Sequence, residues 1–255
     1  VVCLVGPNGV GKSTLLRTVT GLQESLGGEV TIDGVDIRAL DRKSRAKSIG
    51  VVLTERVNVG MLPAFDLVSL GRQPHTEWTG RLGDRDVRAV EWALEAVGAK
   101  ELSSRLVNEL SDGERQKVMI ARALAQEPSI VVLDEPTAFL DLPRRVETMG
   151  LLKQLARTTG RAILLSTHDL DLAIRASDRL WLMEPGGVVH TGAPEDLVLN
   201  GALESVFAGV GVAFDREHGS FHLVTETRGC VQLIGTGDMA VWTARSLRRE
   251  GFEVT

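Results

Sequence analysis

The sequence predicts an α/β fold. Short apolar runs of strand type alternate with segments of helical period, which implies parallel strands joined through helices. One of these runs leads through a glycine-rich loop into a helix, and another ends in two consecutive acids.

Taken along the chain, VVCLV opens as a buried strand and a helix starts at Gly11. The segment GGEVTIDGVDI alternates apolar and polar residues between turn glycines, so a small antiparallel piece is expected there. The region from about 66 to 108 is helical in character. In DRDVRAVEWALEAVG, Val87, Val90, Leu94 and Val97 recur at three and four, and Gly98 stands where a C-terminal cap belongs. We expect a helical insert at about 66–125. Then follow the strand SIVVLD, a helix over 144–158, and the strands AILLST and RLWLM. The main unit is expected to span 1–200. In the tail, 201–255, SFHLV reads as a strand, and CVQLIG–TGDMAVWTARSLRREG–FEV reads as the start of a further strand–helix–strand unit. Both ends of the sequence fall inside apparent strands, so a longer parent chain is expected.

Composition narrows the classes. The chain has 255 residues, with 29 basic against 34 acidic side chains and a net charge of −5. That balance gives no bulk attraction for nucleic acid, and no such partner is expected. The longest apolar runs, four to six residues, are too short to cross a bilayer. Cys3 and Cys230 lie far apart in no metal-ligand spacing, which predicts two reduced, buried thiols in a cytosolic protein.

The nine residues Gly6, Pro7, Asn8, Gly9, Val10, Gly11, Lys12, Ser13 and Thr14 match G-x-x-x-x-G-K-[ST] between a strand and a helix, the context the motif requires. Its glycines let backbone N–H groups converge on phosphates at a helix N-terminus. Lys12 adds a positive charge and Ser13 a hydroxyl for Mg²⁺. Nucleotide binding follows. SIVVLDEP then places Asp134 and Glu135 at the carboxyl end of a strand, where α/β sheets hold ligands. Asp134 suits the carboxylate that holds Mg²⁺, and Glu135 is placed to orient or deprotonate an attacking water. The stretch LSDGERQ at 110–116 has two readings. Ser111 and Glu114 form the Ser-x-x-Glu pattern of a helix capping box, and the same letters resemble the signature motif of an ABC-type ATPase.

In this order, GPNGVGKST, LSDGERQ, IVVLDEP, AFLD and STHD resemble the ATP-binding subunit of an ABC transporter, over roughly residues 1–200. The resemblance implies a P-loop NTPase of the ABC cassette type, with a small antiparallel β piece and a helical subdomain. Two copies would dimerise head to tail around two ATP molecules with Mg²⁺. On that basis Lys12 and Ser13 hold phosphate and metal, Asp134 is the second metal carboxylate and Glu135 the catalytic base. His168 is the residue that contacts the γ-phosphate. Ser111, Asp112, Gly113 and Glu114 present the signature to the partner's nucleotide, and Asp141 lies at the dimer interface, or caps the helix before Leu142 and Pro143.

The sequence departs from the family pattern at several positions. Glu55 stands where a glutamine is usual and is expected to reach the metal or its water. Asp112 replaces a glycine. The aromatic residue that normally stacks on adenine is expected before Val1, and the chain has no tyrosine. The phrases LVSLGRQPHT and DEPTAFLDLP resemble importers of iron–siderophore, haem and cobalamin. That likeness implies a cytoplasmic-face, membrane-peripheral subunit, gripping a permease through about residues 55–72 and served by an extracytoplasmic binding protein. The alternative is a soluble ABC ATPase of DNA repair, translation or cofactor assembly. His218, His222 and Asp215 in the tail are not expected to form a metal site, nor IGTGDMA a second nucleotide site.

Overall fold

The computed structural model describes residues 1–54, 60–77, 80–207, 212–216, 219–223 and 227–255. The chain divides into two compact units, Val1–Val206 and Phe207–Thr255.

The first unit is built on a sheet in the order β4-β5-β6-β1-β7-β8. Its strands are β1 (Val2–Val5), β4 (Ile49–Val52), β5 (Ile130–Leu133), β6 (Ala162–Ser166), β7 (Arg179–Met183) and β8 (Val189–Gly192). All neighbours pair in parallel except β7 with β8, which are antiparallel. That antiparallel edge is a departure from the parallel sheet expected. The sequence VHTG has no apolar run, because an edge strand needs none. The expected antiparallel piece is present as β2 (Thr31–Ile32) and β3 (Val35–Asp36).

The helix α1 (Lys12–Val19) follows β1, and α2 (Arg42–Ser48), not foreseen from the sequence, leads into β4. The Asp41 side chain caps α2 by accepting from Ser44 N at 2.6 Å. One face of the core gathers Leu4, Leu16, Ile32, Ile37, Ile49, Val132 and Leu164. The long helix α6 (Leu142–Thr159) buries Met149, Leu152 and Leu155 at three-residue spacing. It is followed by α7 (Leu170–Ala176), α8 (Pro194–Leu199) and α9 (Ala202–Phe207).

Three helices make the insert: α3 (Ala64–Ser69), α4 (Asp84–Ala96) and α5 (Asp112–Ala125). They pack on one another through Leu67 and Val68, Val90 and Leu94, and Val118, Ile120 and Leu124, all buried. Val87, expected on the same stripe, is only half-buried. Gly98 ends α4 with φ +64, and Ala99 N reaches back to Leu94 O at 2.8 Å, which satisfies a carbonyl the helix end would leave open.

In the second unit, β9 (Val212–Asp215) pairs antiparallel with β10 (Ser220–Leu223). Phe221 lies 5.7 Å from Phe207 and 4.9 Å from Phe214, ring centre to ring centre. Separately, β11 (Gly229–Val231) pairs in parallel with β12 (Phe252–Val254) across α10 (Asp238–Arg249). His222 is exposed on β10, and His218 lies outside the described residues. Among the described residues no helix is long and apolar enough to cross a membrane.

Both cysteines are free thiols, but only Cys3 is buried as expected; Cys230, on the short two-stranded β11–β12 sheet, is exposed. Burial pushes the Cys3 thiol up to about 12, against a hydrogen bond from Ser177. Cys230 is exposed and donates to Glu253 Oε2 at 3.2 Å, and that acceptor also raises its pKa. A thiol reagent at pH 8 is therefore expected to label Cys230 and spare Cys3, because only thiolate reacts. Glu253→Gln should speed the labelling of Cys230. Mass spectrometry of the alkylated protein checks both, and an unchanged rate in the variant would remove Glu253 as the cause.

Candidate nucleotide site

The site forms where the carboxyl ends of β1, β5 and β6 meet. The phosphate loop leaves β1 at Gly6, whose backbone passes so close to β7 that a Cβ there would sit 2.4 Å from Met183 O. Gly11, at φ +109, turns the chain into α1. Lys12 is 6% exposed, and its Nζ donates to Gly6 O at 2.9 Å and Pro7 O at 3.1 Å. The ammonium is thereby held over the concave face of the loop. Burial lowers its pKa, while Glu135 and Asp134 pull the other way.

Asp134 is the hub of the site. The register pairs Leu133 of β5 with Leu165 of β6, so the next residues, Asp134 and Ser166, fall side by side. Ser166 Oγ donates to Asp134 Oδ1 at 2.6 Å, and Ser13 Oγ donates to the same oxygen at 3.1 Å. The backbone is fixed as well: Asp134 N donates to Val52 O at 2.8 Å, and Thr54 Oγ1 donates to Asp134 O at 2.7 Å. A hydroxyl and a carboxylate at this separation are hard oxygen donors, and they fit Mg²⁺.

Glu135 takes φ +47, a left-handed conformation unusual for a glutamate. Its N–H donates to Ser166 Oγ at 2.9 Å, so one hydroxyl holds both acids. Its carboxylate lies 3.2 Å from His168 Nδ1. His168 is carried by the turn after β6, where Thr167 N bonds Leu4 O at 3.1 Å and Asp169 caps α7 through Leu172 N at 3.2 Å. The loop, the two acids and His168 thus come together as the sequence suggests. Ser166 and Thr54 were not foreseen. The polar end of the apolar run AILLS was the available signal, but only the register between β5 and β6 gives it meaning.

The signature lies elsewhere, at the start of α5. Ser111 Oγ accepts from Glu114 N at 3.4 Å, and Glu114 Oε2 accepts from Ser111 N at 2.9 Å and Ser111 Oγ at 2.8 Å. The capping box is complete. Backbone and hydroxyl donation from Ser111, with Arg105 3.0 Å away, hold the Glu114 carboxyl below its usual range. Ser111 and Asp112 are exposed and Gly113 half-buried at this helix start. A cleft lined by Thr54, Asp112, Gln116, Asp134, Glu135 and Phe139 runs between this helix and the acids.

Asp141 caps α6 by accepting from Arg144 N at 3.1 Å, with Pro143 in the first turn. Around it Phe139, Leu142 and Val146 stay exposed. Glu55 lies outside the described residues. Arg72, at the end of the stretch expected to grip a permease, turns inward and is fully buried.

Known proteins are similar to this chain. A family model described as ABC transporter matches residues 1–138. The iron(3+)-hydroxamate import ATP-binding protein of Bacillus subtilis is 39% identical over 207 residues, 81% of this chain and 77% of the relative. The cobalamin import ATP-binding protein of Halobacterium salinarum is 35% identical over 263 residues, all of this chain and 66% of the relative. Among solved structures, the dimeric structure of a bacterial ABC transporter cassette superposes with a TM-score of 0.62 at 30% identity, covering 76% of this chain and 84% of that one. More than half of the sequence thus matches one family model, and the chain belongs to the ABC transporter family as an ATP-binding cassette.

Proposed function

We propose that this chain is the ATP-hydrolysing subunit that powers import of an iron chelate or a cobalamin-type ligand through a membrane permease, from the cytoplasmic face. The observation that carries the reading is the convergence of Lys12, Ser13, Asp134, Glu135 and His168 at three adjacent strand ends. The named functions of the relatives supply the cargo class.

Lys12 and the N–H groups of the loop from Gly6 to Thr14 bind the phosphates of ATP at the start of α1. Ser13 and Asp134 would hold Mg²⁺, with Glu55 as a further contact. Bound there, the ion draws charge from the phosphate oxygens. Glu135 accepts the proton of the attacking water, and His168, 3.2 Å away, keeps that carboxylate aimed and reaches the γ-phosphate. The phosphate lies between two copies, with the second copy supplying Ser111, Gly113 and the positive end of α5. Glu114 holds that end in shape as a cap, and Asp112 stands at its rim. Asp141, with Phe139, Leu142 and Val146 exposed around it, lies on the surface joining the copies. Met61, just before α3, and Leu70, just after it, are exposed and suit a permease contact. An extracytoplasmic binding protein delivers the cargo to the permease. Reconstitution of the permease complex in lipid, with ATPase activity measured as loaded binding protein is added, tests the cargo. Stimulation by none of ferric siderophore, haem or cobalamin would overturn it.

With its general base removed, Glu135→Gln is expected to bind ATP and form a dimer on size exclusion while hydrolysing about 10² to 10⁴ times more slowly. A monomer at saturating ATP and Mg²⁺ would count against the two-copy site. Ser166→Ala deletes the hydroxyl shared by both acids, a charge-assisted bond worth about 1.5–3 kcal/mol. Turnover should fall at least tenfold while ATP affinity changes little, as steady-state kinetics and equilibrium binding would report.

A further inference from the structure

Arg72 is 1% exposed, the largest of the fully buried side chains among the described residues. An arginine at that depth is costly unless its guanidinium is fully paired, and the pairing here is directional. Nε donates to Asp86 Oδ1 at 2.9 Å, and Nη1 donates to Glu127 Oε2 at 2.8 Å and to Ala125 O at 2.7 Å. The backbone beside it is pressed onto the same place: a Cβ on Gly71 would lie 2.2 Å from Arg122 O. Ala125 O belongs to the last turn of α5, one of the carbonyls a helix end leaves without an internal partner, where a cation is also favoured by the helix dipole.

Two more contacts fasten that end. His75 Nε2 lies 2.8 Å from Gln126 O, and Gln126 Nε2 donates to Ala46 O and, at 3.3 Å, to Ile49 O. Glu127 adopts φ +53, a conformation that persists only where the surroundings impose it. The hydrogen bond from Arg72 holds its carboxyl below the usual range despite partial burial. The carboxyl end of α5 is thus gripped from the insert by Arg72 and His75. From the core it is gripped by the backbone that enters β4, the strand leading to position 55. The other end of the same helix carries Ser111. At 14 residues and 1.5 Å each, α5 is a lever about 21 Å long, so a tilt of about 10° at the clamp moves the capped end by about 4 Å.

We propose that Arg72 is a positioning residue for ATP hydrolysis. It fixes the pitch of α5 and so decides how well Ser111 and Gly113 of one copy meet the nucleotide held by the other. The inference rests on the two-copy reading above, and Arg72 itself touches no nucleotide.

Arg72→Lys keeps the charge but not the guanidinium fork, so the three bonds cannot all be made. Placed in the Glu135→Gln background, it should raise the ATP concentration needed for half-maximal dimer at least tenfold. In the otherwise native chain it should lower kcat at least tenfold, with nucleotide affinity of the dilute monomer within twofold. The control is Leu152→Ala in the core of α6, which costs stability but should leave dimer closure at the parent ATP concentration. If Arg72→Lys closes like its parent, or Leu152→Ala shifts closure as far, Arg72 is a structural brace only and the proposal fails. Glu127→Gln, on a more exposed partner, covers the case in which Arg72→Lys does not fold. It should shift closure the same way by about threefold, and no shift overturns the proposal. A Glu135→Gln parent that never dimerises removes the two-copy reading and this inference with it. A parent that dimerises beside an unaffected Arg72→Lys variant removes this inference alone.

Discussion

A single carboxylate oxygen, Asp134 Oδ1, joins three parallel strands at the proposed nucleotide site. It accepts from Ser166 at the end of β6 and from Ser13 in the helix that follows β1, while its own backbone is pinned to β4 through Val52 and Thr54. Asp134 is 5% exposed, and an ionised carboxylate at that depth is tolerable only when its lone pairs are met and a cation stands near. Two hydroxyls meet the first need, and the Lys12 ammonium answers the second. The sheet order follows from the same requirement: β5, β6 and β1 must be neighbours for one oxygen to be reached from all of them. Glu135 inherits its place from this hub. Its N–H is held by the Ser166 hydroxyl, and its left-handed backbone turns the side chain toward His168.

The second organising element is α5, whose two ends are finished by different chemistry. At its start, the Ser111–Glu114 box satisfies the N–H groups of those two residues and keeps that end compact. The two readings of LSDGERQ are therefore compatible, because a helix start that is capped from within is also one whose positive end faces outward in a fixed direction. At its finish, Arg72 and His75 meet the open carbonyls of Ala125 and Gln126, and the Gln126 side chain ties the same end to Ala46 O and Ile49 O. The helix body is buried through Val118, Ile120, Ala121 and Leu124 and has little freedom to bend. Orientation is the variable left, and it is governed at the carboxyl end.

What was legible in the sequence was whatever is encoded locally. The loop from Gly6 to Thr14, the apolar strand before Asp134 and Glu135, the capping box and the Gly98 helix stop each carry their meaning within a few residues. What was illegible depends on pairing across the chain. Ser166 is one hydroxyl at the end of an apolar run until the β5–β6 register sets it beside Asp134, 32 residues earlier. VHTG shows no strand pattern, since an edge strand faces solvent and pairs with only one neighbour, β7. Arg72 ends the stretch expected to grip a partner, and arginine is a poor candidate for a core position on composition alone. Only the meeting of Asp86, Ala125 and Glu127 around it explains a buried guanidinium.

On the two-copy reading, the rim near Asp141 bears on association in the same way. Asp141 caps α6, and Arg145 bonds Leu140 O at 2.8 Å and approaches Asp169 at 3.6 Å, so the turn is tied to α7 as well as to its own helix. Phe139, Leu142 and Val146 are thus displayed, exposed, on backbone that is already ordered. Joining two copies costs several kcal/mol in lost translation and rotation, plus the ordering of whatever is still loose at the contact. A rim ordered in advance removes the second cost and leaves ATP to offset the first. On the two-copy reading, the bound nucleotide then decides when the surfaces meet, because the signature of one copy and the phosphate loop of the other have nothing to bind to without it.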